Sequence, residues 1–309
     1  MRIVVTGASG FIGTALSREL LARGHAVRAA VRHSPAPASS GLQHVHVPDI
    51  SADFNRGALL DDAEAVVHLA AIAHRGASKA ELRRVNVDAT LRLAEAAAGR
   101  VRRFVFLSSV KVHGEDSGSR AFRESDAPRP EDAYGRSKLA AEQGLRELAD
   151  RSGLELIVIR PPLVYGPGVK ANFLRLLRWV DSGWPLPFGS VDNRRSLINA
   201  DNLVDAIACC VEHPAARGSF LVSDAESVST PELVSRIARV LNRPARLIAT
   251  PLALLHLAGF VAGRSGEIRR LTGNLVVDIS RASQVLDWRP THSLDEGLAE
   301  TARWFRTDR

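Results

Sequence analysis

A tyrosine and a lysine four residues apart are the side chains of this 309-residue sequence best suited to move a proton. In the segment Tyr134–Lys138 both lie on one face of a predicted helix. A phenol with its ordinary pKa of about 10 transfers protons poorly at neutral pH, whereas a neighbouring ammonium favours the phenolate and lowers that pKa. Ser109 ends a predicted strand 25 residues before Tyr134, and its hydroxyl can polarise a carbonyl group. Ser109, Tyr134 and Lys138 are therefore the predicted catalytic residues.

Three evenly spaced glycines follow the first predicted strand. Gly7, Gly10 and Gly13 lead from that strand into a helix that begins at Phe11. Glycines let a pyrophosphate approach the backbone closely, and the helix start offers free N–H groups and the positive end of a dipole. The spacing is not the G-x-G-x-x-G pattern, and a purely structural turn is the alternative. The loop predicts a dinucleotide site contacted by Gly7, Gly10, Phe11, Ile12 and Gly13.

The residue after the second predicted strand selects the cofactor. An acidic residue there would accept hydrogen bonds from a ribose 2′-hydroxyl and repel a 2′-phosphate. This chain has Val31 followed by Arg32, and a guanidinium suits a phosphate. We therefore predict NADP, with NAD as the alternative if Arg32 is an ordinary surface arginine. Asp49 and Ile50, after the third strand, are predicted to meet the adenine ring, unless Asp49 only caps a loop.

Strand and helix patterns alternate through the first half of the chain, which is typical of a parallel sheet covered by helices on both faces. The predicted strands are Arg2–Thr6, Ala26–Val31, Gln43–Val47, Ala65–Leu69, Val101–Ser108 and Leu154–Ile159. The predicted helices are Phe11–Arg23, Ala80–Ala98 and Ala133–Arg151. The predicted fold class is α/β, with a Rossmann-type doubly wound parallel sheet.

Prolines and glycines become frequent after about residue 160, and the later segments are mostly helical. The predicted helices there are Ala171–Ser182, Asp201–Glu212 and Pro231–Leu241, with a strand at Ser219–Val222. We predict a dinucleotide-binding domain over residues 1–165, to which residues 194–222 return. Residues 166–193 and 223–309 are predicted to form a smaller, mostly helical substrate lobe, with the ligand cleft between the two.

Composition excludes several other classes of protein. The formal charge is +7, but the arginines are scattered without a run of like charges, which argues against nucleic-acid binding. The adjacent Cys209 and Cys210 form neither a disulfide framework nor a metal site. The longest apolar stretch, Pro251–Gly263, is shorter than the roughly 20 residues that a membrane span needs. The first residues lack a signal-peptide pattern, so we expect a cytoplasmic protein.

Further motifs make a family resemblance specific over nearly the whole chain. Besides the glycine loop and Tyr134/Lys138, the matching segments are His68–Ala71, Val85–Thr90, Ser108–Gly114, Arg160–Pro167 and Leu286–Pro290. With them the chain resembles the extended short-chain dehydrogenase/reductases of the nucleotide-sugar epimerase/dehydratase group. The resemblance implies cofactor contacts from Leu69, Ala70, Ala71, Asn86, Tyr134, Lys138 and Pro161. It also implies a homodimer through the helices Ala80–Ala98 and Ala133–Arg151.

The resemblance extends to the substrate. Asn172 matches an asparagine that holds a nucleotide diphosphate in this family, and Arg195 matches an arginine that grips the phosphates. Arg270 is a second candidate for the phosphates, and Lys111 is expected to face the cleft. Together Lys111, Asn172, Arg195 and Arg270 are the predicted substrate-binding residues, and the implied partner is a UDP-sugar.

Departures from the family pattern narrow the reaction. Val110 and Lys111 stand where the dehydratases have an Asp-Glu pair, so dehydration is not expected. Leu163 replaces an asparagine of UDP-galactose 4-epimerase-like members, and His113 replaces a tyrosine. Arg32 departs from the acidic residue of epimerases that retain NAD.

Taken together, these residues predict a UDP-sugar 4-ketoreductase. NADPH would deliver hydride to C4 of a keto-sugar, best matched by UDP-4-keto-6-deoxy-N-acetylhexosamine, for a polysaccharide precursor. One alternative is a UDP-hexose 4-epimerase with a retained NAD. Another is a non-catalytic dinucleotide sensor or scaffold, and a weaker one is a reductase of steroid- or flavonoid-like ketones.

Overall fold

A seven-stranded parallel sheet runs through the centre of the computed structural model, which describes residues 1–32, 41–73 and 76–307. The strand order is β3-β2-β1-β4-β5-β6-β9, and every neighbouring pair is parallel. The strands are β1 Arg2–Thr6, β2 Ala26–Val31, β3 Leu42–His46, β4 Ala65–His68, β5 Arg103–Leu107, β6 Glu155–Arg160 and β9 Gly218–Leu221. The predicted Rossmann-type α/β fold is confirmed.

Both faces of the sheet are buried, because alternate residues of each strand point into two separate cores. Ile3 and Val5 of β1 pack with one set of helices, whereas Val4 packs with the other. The first set is α1 Phe11–Ala22, α7 Ala200–Glu212 and α11 Ser280–Leu286. The second set is α2 Arg56–Leu60, α4 Ala89–Ala97 and α5 Ala133–Ser152.

The helix predicted over Ala80–Ala98 is not uniform. It begins with the short helix α3, Lys79–Leu82, capped by Ser78 and Glu81, and reaches α4 through a π-helical turn at Arg83–Asp88. The wide turn contains Asn86, whose side chain binds the backbone of Ile72 through both its oxygen and its nitrogen. Such a turn inserts a residue into the helix, and wide turns of this kind are frequent at functional sites.

A smaller unit lies beside the carboxyl ends of the main strands. Its three-stranded sheet has the order β10-β8-β7, in which β7 and β8 are parallel and β10 is antiparallel to β8. These strands are β7 Leu163–Tyr165, β8 Arg195–Asn199 and β10 Ser227–Val228. The helices are α6 Ala171–Asp181, α8 Thr230–Val240, α9 Leu252–Val261, α10 Ser265–Thr272 and α12 Leu294–Thr307. The mostly helical C-terminal region is thus confirmed, whereas the exact domain boundaries stay a prediction.

The predicted ends of the longer elements lie within a few residues of the observed ones. The strands β7, β8 and β10 and the short helix α2 were not predicted, because they lie in loop-rich segments without a clear apolar pattern. Cys209 and Cys210 lie in α7 without a disulfide, Cys210 fully buried. Within the described ranges no helix combines the length and apolar character that crossing a bilayer requires.

Candidate active site

The glycine loop forms a tight cradle between β1 and α1. Gly7 has a φ of +70°, and a Cβ atom there would lie 2.9 Å from the backbone nitrogen of Ala70. At Gly13 a Cβ atom would lie 2.2 Å from the carbonyl oxygen of Gly7, so the helix can approach the loop only without a side chain. Gly10 donates a backbone hydrogen bond to the same oxygen at 2.9 Å. The loop leaves the amino end of α1 accessible to an anion, which fits a dinucleotide pyrophosphate.

Phe11 and Ile12 open α1 and are half-buried. The Phe11 ring packs against the core of the smaller unit, close to Gly166 and Gly168. Phe11 therefore lies where the two parts of the molecule meet, directly above the glycine loop.

The segment after β4 lies against the glycine loop. Leu69 and Ala70 turn back toward Thr6, and their backbone nitrogens contact its carbonyl and hydroxyl oxygens at 3.2 and 3.4 Å. His68 beneath them is fully buried, with Thr6 on one ring nitrogen and Thr90 on the other, at 2.7 and 2.9 Å. Burial lowers the pKa of His68 to about 3, so the ring is neutral and serves the fold. Leu69, Ala70 and Ala71 remain half-buried at the edge of the cleft.

The end of β2 presents Arg32 to solvent, directly after the buried Val31. Asp49 is already engaged, because its carboxylate accepts hydrogen bonds from Ser51 and lies 3.0 Å from an Arg84 nitrogen. The bonds from Ser51 and the charge of Arg84 hold the pKa of Asp49 below its ordinary value. The neighbouring Ile50 packs on the core under α2 and α4. Contact of Asp49 and Ile50 with an adenine stays a prediction.

Ser109 follows β5 in extended backbone and caps the short turn Val110–Val112. Its hydroxyl oxygen accepts a weak hydrogen bond from the backbone nitrogen of Lys111 at 3.3 Å, and the side chain is half-buried. The backbone of Val110 donates to the carbonyl of Pro161 at 2.9 Å, which ties the end of β5 to the end of β6. Pro161 is buried at this junction.

Tyr134 and Lys138 lie one turn apart at the start of α5, as predicted. Asp132 caps this helix by accepting a hydrogen bond from the backbone of Gly135 at 2.7 Å. The Lys138 ammonium donates to the carbonyl oxygen of Leu107 at 2.8 Å and lies 6.0 Å from the centre of the Tyr134 ring. The helix thus brings both side chains beside the end of the strand that leads to Ser109.

The pKa shifts differ from the sequence expectation. Burial, with a contribution from the Asp132 charge, raises the pKa of Tyr134, although the sequence predicted that Lys138 would lower it. Burial also lowers the pKa of Lys138 to about 7, so at neutral pH the lysine carries only part of its charge. The expectation of a lowered tyrosine pKa is therefore wrong, and Tyr134 is a protonated phenol at neutral pH.

Two predicted contact residues are held by the protein itself. Asn86 binds Ile72 and also donates to the Ser137 hydroxyl at 3.0 Å, which fastens the segment after β4 to α5. Lys111 contacts Glu115 and Asp132 at 2.8 and 2.5 Å. A direct cofactor contact of Asn86 stays a prediction.

Arg270 belongs to the same cluster as Lys111. Its guanidinium lies 2.6 Å from Glu115 and 3.7 Å from Asp132. Burial opposes ionisation of Glu115, but hydrogen bonds from Arg270 and Lys111 prevail and lower its pKa. Arg270, a predicted phosphate contact, and Lys111, predicted to face the cleft, are thus paired with two carboxylates that the sequence did not single out.

Arg195 is placed differently. It begins β8, and one of its nitrogens donates to the carbonyl of Gly273 at 3.0 Å. It forms no ion pair with any residue in the described part of the chain, and burial lowers its pKa to about 10. Asn172 lies exposed in the first turn of α6, where Arg175 donates to its oxygen at 2.8 Å. Of the predicted substrate residues, Arg195 is the cation without a direct carboxylate partner in the described part of the chain, although the charges of Glu115 and Asp116 oppose the effect of burial on its pKa.

A buried polar network that lies behind the site was not identified from the sequence. Glu142, one turn after Lys138, accepts bonds from Arg160 at 2.5 and 3.0 Å and from Ser108 at 2.5 Å. Arg160 also donates to His113, whose other ring nitrogen has no partner among the described residues. An acidic residue four positions after Lys138 and an arginine ending an apolar strand were the signals available in the sequence.

Comparisons with known proteins agree with this geometry. Residues 3–222 match the family model "NAD dependent epimerase/dehydratase family". A "UDP-glucose 4-epimerase" of Vibrio cholerae is 44% identical over 98% of this chain and 95% of its own. A "dTDP-4-dehydro-6-deoxy-D-allose reductase" of Streptomyces bikiniensis is 30% identical over 98% and 96%. The solved structure "MoeE5 in complex with UDP-glucuronic acid and NAD" is 30% identical, covers 100% of both chains and gives a TM-score of 0.82. This chain is an enzyme of the NAD-dependent epimerase/dehydratase family, within the extended short-chain dehydrogenase/reductases.

Proposed function

We propose that this enzyme reduces the C4 keto group of a UDP-linked hexose with NADPH. The observation that carries the proposal is the convergence of Ser109, Tyr134 and Lys138 at the end of β5, beside the glycine loop. Parallel sheets of this type bind ligands at the carboxyl ends of their strands. The substrate that the sequence motifs match best is a 6-deoxy-N-acetyl hexose, which would serve polysaccharide precursor synthesis.

The residues of the chain divide the work of the reaction. When bound, a nicotinamide dinucleotide would supply the hydride that C4 accepts. The Ser109 hydroxyl holds the carbonyl oxygen, and the Tyr134 phenol transfers its proton to that oxygen, so that the ketone becomes an alcohol. Lys138 donates to the ribose of the dinucleotide and stabilises the tyrosinate that remains. Burial keeps Tyr134 protonated at neutral pH, so the phenol carries the proton that the reduction requires.

A diphosphate handle on the substrate fits the charges of the cleft. Arg195 offers a guanidinium with a single backbone partner, and such groups bind phosphate through two parallel hydrogen bonds. Asn172 is proposed as the second contact, from the start of α6. The relative with UDP-glucuronic acid bound and the Vibrio cholerae relative support uridine as the nucleoside. Holding the sugar by its distant diphosphate orients C4 toward the hydride donor.

The cofactor preference depends on Arg32. It is exposed at the end of β2, where an acidic residue would favour NAD. We propose that its guanidinium binds the 2′-phosphate of NADP. Substitution of Arg32 by Glu should reverse the preference by repelling that phosphate, while Arg18→Glu, at an exposed position of α1, is the control with the same charge change.

A UDP-hexose 4-epimerase is the second candidate, and the 44% identical Vibrio cholerae relative favours it. An epimerase would use the same three side chains in both directions with an NAD that stays bound. The two candidates differ in what the purified protein holds and what it consumes.

The deciding experiment follows NADPH and NADH oxidation with UDP-4-keto-6-deoxy-N-acetylglucosamine, and separately the conversion of UDP-glucose to UDP-galactose. Stoichiometric NADPH oxidation that Tyr134→Phe abolishes supports the reductase. Interconversion of the UDP-hexoses without net cofactor turnover, by protein that retains NAD through gel filtration, supports the epimerase instead. Activity in neither assay, with wild-type protein that binds the dinucleotide, would contradict both.

We also propose a homodimer formed through α4 and α5. These helices pack tightly on each other, since a Cβ atom at Gly144 would lie 2.8 Å from a methyl carbon of Leu91. The remaining faces of the pair could then associate with those of a second copy as a four-helix contact. Light scattering after gel filtration measures the mass, and a monomer at micromolar concentration would contradict this assembly.

A further inference from the structure

Helix α9 is apolar apart from His256, yet most of its side chains lie in solvent. Leu254 and Leu257 are 56% and 58% exposed, and Phe260 and Val261 are 76% and 78% exposed. Only Leu255 and Gly259 of this helix are buried. A helix in a folded protein ordinarily turns its apolar residues inward, so a contiguous exposed set of this kind indicates a surface that docks onto something.

Two further exposed apolar side chains lie in the paired backbone segments that precede α9. Ile248 is 52% exposed, and its backbone pairs with Leu186 at 2.9 Å. Trp184 is 76% exposed and lies two residues before Leu186 in the paired segment. Hereafter the apolar surface means Trp184, Ile248, Leu252, Leu254, Leu257, Phe260 and Val261.

The two segments that carry the apolar surface contain basic but no acidic residues, and Asp181, Asp192 and Glu267 lie directly beyond their ends. Residues 182–191 and 242–266 contain no aspartate or glutamate, whereas Arg243, Arg246 and Arg264 lie within them. Arg243 contacts Asp181 at 3.2 Å. Arg246 donates to the carbonyl oxygen of Gly183 at 3.3 Å, and both Arg246 and Arg264 are exposed. The surface is therefore both apolar and positively charged.

We propose that the apolar surface docks onto an anionic lipid bilayer. Aromatic and aliphatic side chains beside arginines match the boundary between acyl chains and phosphate headgroups. The ten residues of α9 span about 15 Å, half of the roughly 30 Å apolar core of a bilayer, so the helix lies in the interface without crossing it. A two-fold contact between copies through this surface would place arginines against arginines, which disfavours a second copy as the occupant.

Docking at this surface would also determine how the candidate site is placed relative to the bilayer. Gly259 of α9 packs so closely on α10 that a Cβ atom there would lie 2.6 Å from the Ile268 side chain. Two residues later on α10, Arg270 reaches Glu115 and Asp132 beside the start of α5. The bilayer-docked enzyme would therefore hold its substrate lobe against the lipid surface.

Vesicle co-sedimentation of the full chain tests the proposal. The probes are extruded vesicles of phosphatidylcholine alone and of phosphatidylcholine with phosphatidylglycerol. The wild type should partition onto the anionic vesicles at least about tenfold more strongly than onto the neutral ones. The variant Phe260→Glu/Val261→Glu should lose at least about tenfold of that partitioning, because it removes the two most exposed apolar side chains of α9.

Charge-matched variants separate docking from a general loss of positive charge. Arg100→Glu, in the exposed turn after α4, lowers the net charge by two, as the α9 double variant does, and should change partitioning less than about twofold. Arg246→Gln/Arg264→Gln lowers it by the same amount at the docking surface and should weaken binding to anionic vesicles. This second variant leaves the apolar residues untouched, so it carries the test if the α9 double variant fails to fold.

Three results would overturn the proposal. One is wild-type protein that stays in the supernatant with anionic vesicles. Another is equal loss of binding in Arg100→Glu and in the two surface variants. The third is a wild-type oligomer that Phe260→Glu/Val261→Glu dissociates in light scattering, since this would assign the surface to a second copy.

Discussion

Lys138 and Lys111 are both lysines beside the candidate site, yet their charges are treated in opposite ways. Lys138 is buried and donates to the backbone of Leu107, without an ion pair to a described residue, and burial lowers its pKa to about 7. Lys111 is held between Glu115 and Asp132. The Lys138 amine can still bind a ligand, whereas the Lys111 ammonium is held by two carboxylates of the protein. A cation near a cleft is therefore no evidence of ligand binding until its partners are known.

The composition makes this difference more telling. Only four of the 41 lysine and arginine residues of the chain are lysines, and the rest are arginines. Lys138 lies where a compact ammonium must fit under a phenol and beside the Phe106 ring, 4.5 Å from its centre. A planar guanidinium would not fit this space in the same way.

Replacing each lysine by methionine should give the largest difference in kcat/KM between the two positions. Lys138→Met should lower kcat/KM by about 10² to 10⁴, because the acid–base pair loses its charge. Lys111→Met should lower it by less than about tenfold, since its partners belong to the protein. Steady-state turnover of the substrate that the wild type accepts measures both. Equal losses of kcat/KM in the two variants would show that Lys111 also takes part in the reaction, so that the two lysines would not differ as we expect.

The predictability of the site follows the same division. Gly7, Gly10 and Gly13, like Tyr134 and Lys138, act through spacings of three or four residues, so a strand and a helix suffice to place them. Lys111 and Arg270 are 159 residues apart, and nothing in local spacing indicates that Glu115 lies between them. The phosphate contacts were predicted by charge and resemblance, and charge alone does not reveal an internal partner.

The fold shows the same limit. Strands and helices with clear periodicity were predicted to within a few residues, because one buried face dictates the pattern. The stretch Pro251–Gly263 was recognised only as too short to span a membrane. Its apolar residues give no periodicity from which to predict that Phe260 lies in solvent, since exposure depends on the packing of α9 against α10.

Glu142 lies one helical turn after Lys138, and its charge acts on the lysine. Glu142→Gln would leave the buried Arg160 guanidinium without its paired charge, and we expect a loss of about 3 kcal/mol in the free energy of unfolding. Glu147→Gln, exposed on the same helix, should cost less than about 0.5 kcal/mol. Urea unfolding followed by circular dichroism measures both. A cost below 1 kcal/mol for Glu142→Gln would mean that the network is not coupled to stability.

The lowered pKa of Lys138 predicts an alkaline window of stability. Its folded pKa of about 7 lies below the ordinary value of 10.5, so between these limits the unfolded chain binds more protons. Stability therefore rises with pH in this window, by at most about 1.4 kcal/mol per pH unit for one group. The free energy of unfolding of the wild type should therefore rise relative to that of Lys138→Met from pH 7 to pH 9. A difference that stays constant would contradict a lowered lysine pKa.

The smallest expected effect distinguishes Arg270 from a substrate ligand. Arg270→Met removes one of two cations from Glu115 but leaves Lys111 in place, so the unfolding free energy should fall by only about 1 kcal/mol. Arg269→Met is the matched control, because Arg269 is the exposed neighbour and pairs with Glu131 at the surface. KM for the nucleotide sugar should change less than about threefold in both. A rise of tenfold or more in Arg270→Met alone would show that Arg270 leaves Glu115 to bind the diphosphate of the substrate.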